Sequence, residues 1–128
     1  MSAKRILLVE DEALIAMMVE DMLQELGLVL AAHVTRVDHA LVLVNAQTVE
    51  DPGYEGAILD VNLDGEKVWP VAEQLRAIGV PFFLSSGASE TEVPAAFADV
   101  PSVLKPYTFE TVKTALEQML DNRPKPGA

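Results

Sequence analysis

Three acids in succession, Glu10, Asp11 and Glu12, follow the apolar run "RILLV" at residues 5–9. A further acid, Asp60, closes "GAILD" at 56–60. Ser85 and Ser86 close "PFFLSS" at 81–86 and lead into Gly87, and Lys105 closes "PSVLK" at 101–105 before Pro106. An ionised carboxylate at the end of a buried segment is costly unless something pairs with it or it does chemistry. Carboxylates that converge repel one another, so one is protonated or a cation sits among them. Mg²⁺ takes one or two carboxylates while keeping waters and a phosphate oxygen. A lysine point charge and a serine hydroxyl suit the remaining oxygens of a phosphoryl group. An aspartate can itself be the nucleophile, giving an acyl phosphate, with metal and lysine stabilising charge on the transferring group.

Taken singly, each of these residues has a plainer reading. An acid at a strand end is commonly a turn residue or a cap, Ser-Ser-Gly a turn, and Lys-Pro a surface feature. Glu10, Asp11 and Glu12 could complement a helix dipole. Their joint occurrence, in this order, at four strand ends is what points to a site.

The elements that must position them alternate. Strand patterns at 5–9, 28–32, 56–60, 81–86 and 101–105 are interleaved with helical ones. The first helix is expected over about 13–26, with Leu14, Met18, Met22 and Leu26 on its apolar face and Gly27 as its stop. The second spans about 37–47 and carries Val37, Leu41 and Val44. The third spans about 68–78, with Pro70 in its first turn and Gly79 at its end. The fourth must be short, because Pro94 falls inside it. The last, capped by Thr108, carries Val112, Leu116 and Met119. Five strand–helix units predict an α/β fold: a five-stranded parallel sheet with helices on both faces. Ligands of such sheets bind outside the carboxyl ends of the strands, where all the residues above stand.

The chain has 128 residues, half of them apolar, with a formal net charge of −11 and no cysteine. That length fits one domain. The acidic balance disfavours nucleic acid and anionic membrane as partners. The lack of cysteine excludes disulfides and thiol chemistry. The first apolar run is too short for a signal peptide or a membrane span, which makes a cytoplasmic protein the default. The expected organisation is one domain over 1–122, a frayed tail over 123–128, and no output domain.

The motifs "LLVEDE" (7–12), "ILDVNLDG" (58–65), "FLSSG" (83–87) and "VLKPY" (103–107) together resemble a receiver domain of bacterial two-component response regulators, over essentially the whole chain. The resemblance implies a flavodoxin-like receiver fold with Asp60 as phosphoacceptor. It implies that Asp11 binds Mg²⁺ directly and Glu10 through water, with Asp60 and the Asn62 backbone carbonyl completing the ligands. Ser86 would be the switch hydroxyl, and Lys105 would contact the phosphoryl group across a typically cis bond to Pro106. The partner would be a histidine kinase or histidine phosphotransferase, and the output a protein contact or a passing-on of phosphate. The chain departs from the family pattern at Ser102, where the switch aromatic usually lies three residues before the lysine. "VPFFLSSG" and the short, proline-containing fourth helix resemble an alphaproteobacterial subgroup of single-domain receivers with a FATG-like strand end. There, signalling would run past Ser86 and the fifth strand, near Tyr107; the plainer reading of Tyr107 is packing under the last helix.

Two other readings of the site compete. An aspartate-nucleophile phosphatase would need a second acid two residues after Asp60, and Asn62 cannot serve. A phosphorylation-independent binding module would have no need of Glu10, Asp11, Asp60, Ser86 and Lys105. No G-x-G-x-x-G follows the first strand, which speaks against a nucleotide-binding oxidoreductase. His33, just past the second strand, and His39, on the second helix, fit no ligand pattern. Trp69 is expected to be partly buried at the start of the third helix. In receivers the first helix commonly docks the kinase, so Met17 and Val19, if exposed, are candidates for that contact.

Overall fold

The structure is a computed structural model that describes residues 4–87, 93–105 and 107–121. Strands β1 (Arg5–Val9), β2 (Val29–Val34), β3 (Gly56–Asp60), β6 (Phe82–Ser86) and β7 (Ser102–Leu104) form one sheet in the order β2-β1-β3-β6-β7. Every pairing within it is parallel. The central strand, β3, is buried along its whole length, as an apolar run without polar alternation requires.

Side chains alternate between two cores, as the period of a strand dictates. Leu7, Val9, Ala57, Leu59 and Leu84 pack with Val37, Ala40 and Val44 of α2 (Val37–Asn45) and with Val71, Ala72 and Leu75 of α3 (Trp69–Ala77). Ile6, Leu8, Ile58 and Phe83 pack with Ala16, Val19 and Leu23 of α1 (Ala13–Glu25) and with Val112, Ala115, Leu116 and Met119 of α4 (Phe109–Asp121). The fold is thus the flavodoxin-like doubly wound sheet, with two helices on each face among the described residues. Among the described residues no helix is long and apolar enough to cross a membrane.

Local signals set the ends of these elements. Gly27 has φ +76°, Leu28 N–H donates to Leu23 C=O, and Gly27 N–H donates to Gln24 C=O, which is the Schellman stop expected of a glycine there. Gly79 ends α3 in the same way. Thr108 caps α4: Thr111 N–H donates to Thr108 Oγ1, and Thr108 N–H donates to Thr111 Oγ1.

Three expectations need correction. The buried stripe of α1 is Ala16, Val19 and Leu23, whereas Leu14 is 79% exposed and Met18 is also exposed. Val19 is therefore a core residue and cannot dock a partner, while Met17, 62% exposed, can. His33 lies within β2, which runs two residues further than expected, and not just past it. The expected short fourth helix falls partly on residues 88–92, which lie outside the described residues; among the described residues of that segment there is a 3₁₀ turn, Ala95–Phe97, following Pro94. Phe97 anchors that turn, stacking on the half-buried Trp69 with ring centroids 5.7 Å apart and lying under the Arg76 guanidinium.

Candidate functional site

Glu10, Asp60, Ser86 and Lys105 meet at the carboxyl edge of the sheet because parallel strands deliver all their ends to one side. Glu10 follows β1 directly and Asp60 closes β3; both are buried. Lys105, one residue past β7, points its Nζ at them, 3.0 Å from Asp60 Oδ2 and 3.3 Å from Glu10 Oε1. Glu10 Oε2 accepts from Glu12 N–H at 3.1 Å, which turns the chain into α1. Glu10 Oε1 is buried and accepts no hydrogen bond among the described residues; the ammonium beside it donates instead to Glu10 Oε2, at 3.4 Å.

One cation faces two buried carboxylates, and the electrostatics follow from that imbalance. Burial, and then the Asp60 charge, push Glu10 up to about 7. Burial also raises Asp60, against the opposing pull of its bond to Lys105. Lys105 is held above the ordinary lysine range: burial works against its charge, but the bond to Asp60 and the two acids outweigh that.

Asp11 is fixed from across the site by a small antiparallel hairpin, β4 (Asn62–Leu63) with β5 (Glu66–Lys67). Its turn residues Asp64 and Gly65 have φ +51° and +91°, the left-handed pair that a two-residue turn of this kind requires. Asn62 Oδ1 accepts from Gly65 N–H, and Asp64 N–H donates to Asp11 Oδ2 at 3.1 Å. Sequence reasoning missed this hairpin, although the Asp-Gly in "NLDGEK" signalled it. Asn62 N–H also donates to Asp60 Oδ1 at 3.3 Å, so the start of the hairpin helps to orient the Asp60 carboxylate as well.

One carboxylate oxygen from each of Glu10, Asp11 and Glu12 lies within 4.8 Å of the others, so the three successive acids form one cluster. All the donors here are hard oxygens, and one of them, Glu10 Oε1, is buried without a hydrogen bond. This set fits Mg²⁺.

Ser86 closes β6, and its carbonyl accepts from Lys105 N–H at 2.8 Å. The residue paired with Asp60 across the sheet is Ser85, which was not singled out for a role. Tyr107 is buried in the α1/α4 core, and its hydroxyl donates to Ser85 Oγ. Ser102 is exposed on β7, the edge strand. Pro106 lies outside the described residues. His33 Nε2 meets the Glu10 carbonyl at 2.8 Å, a backbone contact away from the carboxylates.

No family model matches the chain, and no curated protein does. Solved structures do match. SdrG from Sphingomonas melonis Fr1 is 43% identical, with a TM-score of 0.80 over 94% of this chain and 98% of its own. The BeF3-activated conformation of SdrG from Pseudomonas melonis Fr1 is 45% identical over 94% of this chain and 99% of its own, with a TM-score of 0.74. A response regulator receiver protein from Sinorhizobium medicae WSM419 is 25% identical, with a TM-score of 0.74 over 94% of this chain and 97% of its own. The chain belongs to the response regulator receiver domains, the signalling modules of two-component systems. Receivers of this family typically use Mg²⁺ at the acidic pocket that the Glu-Asp-Glu cluster forms here.

Proposed function

We propose that this receiver accepts a phosphoryl group on Asp60 from a phosphohistidine of a histidine kinase or histidine phosphotransferase. It would then signal through protein contacts or pass the group on. The observation that carries the reading is Lys105 Nζ at 3.0 Å from the buried Asp60 Oδ2, beside a second buried acid, Glu10, whose Oε1 accepts no hydrogen bond among the described residues. The relation to SdrG, which takes up a BeF3-activated conformation, supports it, since BeF3⁻ has the shape and charge of a phosphoryl group.

An Asp60 carboxylate oxygen attacks phosphorus, the P–N bond to the donor imidazole breaks, and the imidazole leaves with its electron pair. Asn62 N–H holds the other Asp60 oxygen, so the acceptor presents one face. Lys105 lies close enough to follow a phosphoryl oxygen once Asp60 has lost its free charge. The Ser86 hydroxyl, at the end of β6, is a donor for another. Mg²⁺, held by Asp11, by Glu10 through water and by the Asn62 carbonyl, would supply the remaining charge stabilisation.

Intact-mass measurement after incubation with acetyl phosphate tests this. One added phosphoryl group that needs Mg²⁺ and is absent from Asp60→Asn is the expected result. Uptake by Asp60→Asn equal to the unmodified chain would overturn it.

A further inference from the structure

We infer that Ser85 and Tyr107 are a pair of positioning residues whose hydroxyl–hydroxyl bond holds the Lys105 segment in register with the acceptor strand. The inference rests on the phosphoacceptor reading above and concerns how its cation is placed.

Strand β7 ends at Leu104, so the sheet ladder no longer fixes the chain where Lys105 begins. One backbone bond remains, Lys105 N–H to Ser86 C=O. The next described residue that ties this connection to β6 is Tyr107, through its hydroxyl to Ser85 Oγ. Ser85 stands between the two halves of the site. It pairs with Asp60 on β3 and with Val103 on β7, and its carbonyl accepts from Val61 N–H at 2.9 Å. A shift of Ser85 is therefore felt on the acceptor strand and on the lysine segment alike.

Packing alone does not call for these hydroxyls. Tyr107 lies among Ile6, Leu8, Phe83 and Val103, where phenylalanine would bury equally well. A buried phenol needs a partner, and Ser85, with 0% exposure, supplies it. Burial pushes the Tyr107 hydroxyl above the ordinary tyrosine range, which keeps it a protonated donor. The exposed Ser102 offers no ring to turn inward, so among the described residues this hydroxyl pair is the side-chain tie that supports the Lys105–Ser86 backbone bond between β6 and the lysine segment.

Three variants test the pair in the full chain: Ser85→Ala, Tyr107→Phe and both together. Each removes only a hydroxyl, and folding is checked by thermal melting. Two readouts are used: the Lys105 side-chain ammonium resonance by NMR in the unphosphorylated protein, and the rate of phosphoryl uptake from acetyl phosphate with Mg²⁺. Each single variant should move the resonance and slow uptake by about fivefold, the factor that one ordinary hydrogen bond carries. The double variant should be no slower than the worse single one, because both substitutions break the same bond. An unmoved Lys105 resonance in folded single variants, or losses that multiply in the double variant, would overturn the inference. Should the unmodified chain take up no phosphoryl group, the acceptor reading fails, and the resonance alone still decides whether the pair places Lys105.

Discussion

Lys105 Nζ stands 3.0 Å from Asp60 Oδ2 across 45 residues of sequence. The fold makes that contact by running β3, β6 and β7 parallel and side by side, so that residues closing three different strands share one edge. Glu10 reaches the same ammonium from β1 at 3.3 Å. Two buried acids thus share one base, and this imbalance governs the metal-free protein.

Replacing Lys105 by Met removes the cation and leaves both acids buried. Breaking a fully buried pair costs about 3–5 kcal/mol. The loss here should be smaller, about 2 kcal/mol at pH 7.5, because the lysine lies at the rim and the acids can take up a proton. The deficit should shrink at pH 5, where protonation relieves the repulsion. Denaturant midpoints of both proteins at the two pH values check this. A deficit of equal size at both would show that the lost stability is packing and not charge.

The pH dependence of the metal-free protein has a definite sign. Glu10 titrates at about 7 when folded, against an ordinary 4.5. Between those values the folded state binds the proton more tightly than the unfolded chain does. Stability therefore falls as pH rises through this window. The destabilisation is complete above pH 7 and absent below 4.5, and the raised Asp60 adds in the same direction. With chelator present, the melting temperature should be higher at pH 5.5 than at pH 8. Glu10→Gln should flatten that difference, and a slope unchanged by the substitution would contradict the assignment to Glu10.

What could be read from sequence, and what could not, has a physical basis. The strand ends were legible because a charge that closes an apolar run stands out, and parallel topology sends all such ends to one edge. The buried face of α1 was not, because residues 13–19, "ALIAMMV", are apolar all round and give periodicity no contrast. Tertiary contact with Leu8 and Ile58 chose Ala16, Val19 and Leu23 instead. The Ser85–Tyr107 bond was hidden for another reason. It joins two hydroxyls 22 positions apart, and neither residue type advertises a partner.

Asp11 offers a way to separate metal binding from folding. Its Oδ2 accepts from Asp64 N–H, so Asp11→Asn keeps an oxygen for the hairpin and loses the charge. At a hundred times its dissociation constant a ligand stabilises by about 2.7 kcal/mol. Mg²⁺ should accordingly raise the melting temperature of the unmodified protein by several degrees. Asp11→Asn should lose most of that rise while melting at a similar or higher temperature without metal, since one repelling charge is gone. A full Mg²⁺ response in the variant would place the ion elsewhere.

The surface of α1 bears on the proposed partner. Leu14 and Met17 are 79% and 62% exposed, next to the acids that precede the helix. Exposed apolar side chains at i and i+3 lie on one face. Substitution there leaves the core intact, and surface changes usually stay within about 0.5 kcal/mol. Met17→Asp should therefore melt like the unmodified protein and take up phosphoryl from acetyl phosphate at the same rate. Transfer from the cognate kinase should fall by about tenfold, the effect of about 1.4 kcal/mol lost at an interface. Val19→Asp, one turn on the other side, places a charge in the α1/α4 core and should unfold the domain. Kinase transfer that Met17→Asp leaves unchanged would remove this face of α1 from the docking surface.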